Sequence, residues 1–150
     1  MPATTLASVA TGQDSNTSRN LVNGNLVSGK VGVLNSTYAM LGTEAAGDLI
    51  KIGTIPKGAT LLVEEWRVAS EGSGGTTGTI ATIGTLANDD EYSATAAAIT
   101  AAGNVAVTPI AGLPPAQLTA ATAVYGKLGL ASGSFTAGKV LNFRIKYILP

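Results

Sequence analysis

The 150-residue chain contains neither cysteine nor histidine. The first absence removes disulfide frameworks and thiolate chemistry. The second removes the commonest general base, proton shuttle and transition-metal ligand. Charge is scarce as well: Asp, Glu, Lys and Arg make up 12% of residues, nine acids against nine bases, where a soluble domain usually carries about a quarter. Nucleic-acid binders draw affinity from neutralising phosphates, so a basic excess is expected of them; this chain has none, and no nucleic-acid partner is expected. No apolar run approaches the ~18 residues of a membrane span, and no membrane partner is expected. The opening "MPATTLASVATGQDSN" lacks a basic n-region and a continuous apolar core, so a chain made and kept in the cytosol, or assembled there, is expected.

What remains is apolar and small. Hydrophobic residues reach 45%, glycine numbers 19, and mean hydropathy is +0.32. The length suits one domain with its own core. An uncharged exterior on such a chain points to a surface that is covered in the working state.

Residues 1–36 differ from the rest. The first twenty are small and polar, with few core anchors. In "LVNGNLVSGKVGVLN" apolar pairs recur every five residues, a spacing that fits neither a helical face nor strict strand alternation. Two readings stand side by side. One is a hairpin turning at Asn23-Gly24. The other is an extended arm whose Leu21-Val22, Leu26-Val27 and Val33-Leu34, with Val31, enter pockets on a neighbouring subunit. Neither buries these residues unaided.

From residue 37 to 150 the pattern is that of a β body. "TYAML" is a short strand. The segment "GDLIKIGTIPKGATLLVEEWRV" (47–68) reads as two strands about a Pro-Lys-Gly break, a hairpin, with a bulge or two-sided burial in the second half. "TIATIGTL" and "ATAVYGKLGLAS" are strands, and "SEGSGGTTG" a loop. "VAVTPIAGLPPAQLT", with three prolines, is a loop with at most an edge strand. In "KVLNFRIKYIL" Leu141, Phe143, Ile145 and Tyr147 point one way while Asn142, Arg144 and Lys146 point the other. The one helical candidate is "NDDEYSATAAAITAAG", with Asn88 or Asp89 as cap and Tyr92, Ala96 and Ile99 on one face. The expected fold is all-β: a β-sandwich of jelly-roll type with one short helix and an extended N-terminal arm.

Candidate chemistry is thin. "GSFTAGKV" (133–140) has the spacing of a phosphate-binding loop, but Val140 stands where Ser or Thr must hold magnesium, and a strand pattern follows. The acids at 88–91 lack the order of a calcium loop and read as helix caps. Glu64 and Glu65 are adjacent, so on a regular strand they face opposite ways and cannot act as a pair. Without His or Cys, a Ser or Thr nucleophile would need a lysine base, and no SxxK spacing occurs. No catalytic, cofactor-binding or metal-binding residue, no cofactor and no small-molecule substrate is expected. Trp66 is suited to stack on a sugar, but a lone Trp in an apolar strand more often belongs to a core or an interface.

The order "GDLIKIGTIPKGATLL", a Gly/Thr loop into "TGTIATIGT", "NDDEYSATAAAITAAG" and "SGSFTAGKVLNFRIKYI" resembles the capsid decoration, or cement, proteins of tailed bacteriophages over residues 37–150. The resemblance implies a virion protein assembled in the host cytoplasm, a homotrimer on the capsid surface, bound to the major capsid protein. It implies no catalysis. Leu21, Val22, Leu26, Val27, Val31, Val33, Leu34 and Trp66 are then the expected contacts with other subunits. The rival reading is a lectin-like module of a phage tail or fibre, with Trp66 and Tyr125 as sugar platforms.

Overall fold

A computed structural model describes residues 30–73, 75–94, 96–111 and 117–149. Nine strands follow in order: β1 (Lys30–Ala39), β2 (Leu49–Ile55), β3 (Thr60–Leu61), β4 (Arg67–Glu71), β5 (Thr79–Gly84), β6 (Ala97–Ala98), β7 (Ala102–Ala106), β8 (Thr122–Gly129) and β9 (Val140–Leu149). One five-stranded sheet runs β1-β9-β4-β7, with β3 also on β9; a four-stranded sheet runs β2-β8-β5-β6. All pairings are antiparallel. The pairs are nested: β1 with β9, β2 with β8, β4 with β7, β5 with β6, successive pairs alternating between the two sheets.

The two sheets bury their facing sides against each other, as the period-2 pattern of β9 requires. Leu141, Phe143 and Ile145 are at most 1% exposed, while Asn142 and Arg144 between them are exposed. Phe143 marks the centre of the sandwich. A Cβ on Gly126 of the opposite sheet would lie 3.4 Å from its ring and 3.5–3.6 Å from Ile80 and Ile52. That is ordinary contact distance, so the side chains of both sheets close to within one methyl group of the Gly126 backbone. Ile50, Ile52, Ile55, Ile80, Ile83, Val124 and Leu128 complete the four-stranded side.

Three expectations need correction. Residues 47–68 are not a hairpin. β2 pairs with β8 and β3 with β9, so the chain crosses from one sheet to the other at the Pro-Lys-Gly break. Beyond β3 the chain makes a 3-10 turn at Val63–Glu65 before β4. That turn is why neither alternating set of "TLLVEEWRVA" reads cleanly.

The short helix over 88–103 is absent too. Thr85 N–H donates to Asn88 O, closing a turn, and Ile83 exchanges backbone bonds with Ser93. Tyr92 and Ile99 are buried, but Ala96, the third member of the supposed helical face, is exposed. Sheet contacts outweigh the local helix propensity of this alanine-rich stretch, which contributes β6 and the start of β7.

The boundary at residue 36 also moves, because 30–36 belong to β1, paired residue for residue with β9. The alternation was hidden by Gly32, an inward position. A Cβ there would fall 2.2 Å from the Tyr147 ring, its register partner, so the tyrosine occupies the space of a side chain. The Asn23-Gly24 turn and the rest of residues 1–29 lie outside the described residues.

Candidate interaction surfaces

Asp89, Glu91 and Glu65, among the residues singled out for chemistry, have structural partners. Asp89 Oδ2 pairs with Lys127 Nζ at 2.7 Å, and Glu91 Oε2 accepts from Thr85 Oγ1 at 3.0 Å. Glu64 and Glu65 stand on the 3-10 turn rather than on a strand. Glu65 is hydrogen-bonded to Lys146, and that bond and charge, with Arg67 and Arg144 nearby, hold its carboxyl below the usual range. The 133–140 loop is a turn into β9: Thr136 N–H donates to Ser73 O, Gly138 N–H to Met40 O, and Val140 begins the strand. Among the described residues, no three acids come together as a metal site.

Burial of polar groups follows the same structural logic. Ser70 Oγ donates to Ile99 O and accepts from the Gly72 and Ser73 N–H groups, while Ser73 Oγ donates to Val140 O. These bonds fix the β4–β5 corner to the start of β9 and satisfy polar atoms that water cannot reach. Glu44 organises the loop after β1. Its carboxylate accepts from Tyr38 Oη (2.9 Å) and from the N–H groups of Leu41 and Gly42. Burial pushes the Glu44 carboxyl up, but the hydrogen bonds outweigh it and the net shift is downward.

Trp66 requires a correction. It is 0% exposed, its Nε1 donates to Lys146 O at 2.9 Å, and its ring meets Tyr92 edge-on at 5.7 Å. Without exposed surface it offers no face to a partner or a sugar; it is core. Burial, and secondarily the Glu91 charge, push the Tyr92 phenol up to about 12. Tyr125, the other supposed platform, lies half-buried on β8 opposite Lys51.

The remaining expected contacts divide by their place in the chain. Leu21, Val22, Leu26 and Val27 lie outside the described residues. Val31 and Val33 project from β1 at 56% and 40% exposure. Leu34 turns inward and packs on the core, where a Cβ on Gly53 would meet its Cδ2 at 2.6 Å. It joins the two sheets at their open side.

The outward face of the five-stranded sheet was not singled out by the sequence. Across it Val31 sits beside Ile148, Val33 beside Lys146, Asn35 beside Arg144 and Thr37 beside Asn142. Thr37 Oγ1 donates to Asn142 Oδ1 at 2.8 Å. Arg67 is the register partner of Arg144, a like-charge pairing that costs stability on a sheet. Arg67 Nη1 relieves it by turning to Glu64 O and Trp66 O. Pairing of β9 with β4 creates this grouping, so only the alternation in "NFRIK" hinted at it.

By sequence, neither a family model nor a curated protein matches the chain. By structure it is similar to a chain of the capsid of Ralstonia phage GP4, at TM-score 0.61 and 18% identity. It is also similar to a chain of the cyanophage Pam1 capsid asymmetric unit, at TM-score 0.54 and 21% identity. Each likeness covers 81% of this chain and 86% of the other. At these identities what is shared is the fold.

Proposed function

We propose that this chain is a phage structural protein of the decoration or cement type. It would sit on the outer surface of the virion capsid as a homotrimer, stabilising the shell by contacts with the major capsid protein. The observation that carries the reading is that both structural neighbours are chains of phage capsids and share the fold over most of their own length. The nested strand pairs, outermost and third in one sheet, second and innermost in the other, support the jelly-roll form of the sandwich. The partnered acids and the low charge support a non-enzymatic role. Cementing then works by mass action: a protein that binds assembled shell better than free subunits stabilises the shell, and many modest contacts act together.

In this reading residues 1–29 are the arm and β1 belongs to the body. The test is co-sedimentation of the chain with shells of the major capsid protein from the same phage. Full-length protein should saturate the shells and raise their thermal disruption temperature. A chain lacking residues 1–29 should remain folded by circular dichroism and leave the shells bare. Full occupancy by the shortened chain would remove the arm's role, and no binding by the full chain would remove the decoration reading.

A further inference from the structure

Among the described residues five strands have a single neighbour in their sheets, and four are protected, β3 by having two residues with a bridge from Thr60 to Gln117. β6 has two residues and β7 five. β2 carries exposed Lys51 at its centre, with a register shift between Lys51 and Gly53. β1 has no such device. It is ten residues long, pairs with β9 without a bulge, and has no charge or proline after Lys30. Alternate residues of an edge strand direct N–H and C=O groups away from their one partner. Among the described residues, none of those of β1 finds a second backbone partner. A long, regular, uncharged edge is a template for another strand, and proteins that do not use one blunt it.

We propose that β1 pairs antiparallel with β1 of a second copy about a two-fold axis at Asn35, joining the two five-stranded sheets into one. The proposal rests on the reading that the chain works in assemblies with its own copies. The sequence of β1 suits itself in this register. On the outward face Val31 lies opposite Ala39 of the second copy and Val33 opposite Thr37, pairing each valine with a small or β-branched neighbour. On the inward side Gly32 lies opposite Tyr38, and Leu34 opposite Ser36. At the axis Asn35 meets its own equivalent, two amides that donate and accept equally. Lys30, the one charge in the strand, falls outside the overlap, so no like charges are opposed. A two-fold contact is closed and self-complementary. Alone it gives a dimer; combined with a three-fold contact elsewhere it gives a hexamer.

The test is the mass of the full chain in solution, by sedimentation, with amide exchange read across residues 30–39. Two copies, or six where two of the proposed trimers join through this contact, with protected β1 amides are the expected result. Asn35→Glu is the decisive variant. In its own sheet the new carboxylate faces Arg144, so the fold is retained, but at the axis two carboxylates oppose each other. It should halve the assembly and expose the outward amides of β1, while Asn35→Gln leaves both unchanged. A trimer with rapidly exchanging β1 would overturn the two-fold contact and leave self-assembly standing. A monomer with exposed β1 would overturn both. Protected β1 amides in a monomer would show the edge covered within one chain, and would equally overturn the contact.

Discussion

β1 and β9 lie side by side, each ten residues long and paired at every position, yet they have opposite fates. The inward residues Leu141, Phe143 and Ile145 of β9 are at most 1% exposed. Their partners on β1, Leu34, Ser36 and Tyr38, are only half-buried. The backbone geometry is the same in both strands, so the difference lies in their neighbours. β9 is flanked by β1 on one side and by β3 and β4 on the other, whereas among the described residues β1 has one flank. An inward side chain at the sheet's margin keeps one side open to water however apolar it is. Burial here is a property of position in the sheet, and the margin is left with material for a contact that the described residues do not make.

That contrast can be broken most strongly at its centre. Phe143→Ala should lower the unfolding free energy by about 3–5 kcal/mol, the range for a buried aromatic, read from the urea midpoint at unchanged slope. Leu34→Ala on β1 should cost less, about 2 kcal/mol, the low end for a leucine whose site stays open to solvent. Equal losses at the two positions would erase the distinction between central and marginal strands.

Gly84→Ala tests whether tight backbone packing extends beyond that centre. Its Cβ would stand 2.2 Å from Asn88 O, and backbone cannot swing aside as a side chain does. A loss of about 1–3 kcal/mol is expected from such overpacking, again by urea denaturation. Gly47→Ala, where nothing lies within 4 Å of the added carbon, is the control; its φ of 97° still favours glycine, so a smaller loss remains.

The smallest effects belong to the loop that closes β1. Tyr38→Phe removes one hydrogen bond to Glu44 and should cost about 1 kcal/mol. The Glu44 carboxyl is held below its ordinary value in the folded chain. Its contribution is therefore complete above the ordinary glutamate pKa of about 4.3, and is lost as pH falls through the lower folded value. Glu44→Gln should flatten the fall in stability with acidification, measured as midpoint against pH.

Strands that cross the molecule's centre were legible in the sequence because both sides of each are determined by burial. β9 shows this best, with Leu141, Phe143 and Ile145 inward as the alternation required. β5 and β8 fell where the Thr-, Ile- and Val-rich runs placed them. Legibility failed where one residue's environment is supplied by a distant one. Gly32 broke the pattern of β1 because Tyr147, far along the chain, fills its place. The alanine run at 96–98 promised a helix because its competition with β5 is invisible locally. Trp66 was an ambiguous aromatic until Lys146 O and Tyr92 were seen around it.

Composition and periodicity alone determined that this chain builds an all-β body without histidine or cysteine chemistry, since both follow from which residues are present and how apolar ones alternate. Tertiary structure decided which strands lie inside and which at the margin, where the chain changes sheets, and which apolar residues remain outward. Those outcomes depend on pairings between residues far apart in the chain, as Arg67 with Arg144 or Val31 with Ile148, and a local pattern carries no record of its distant partner.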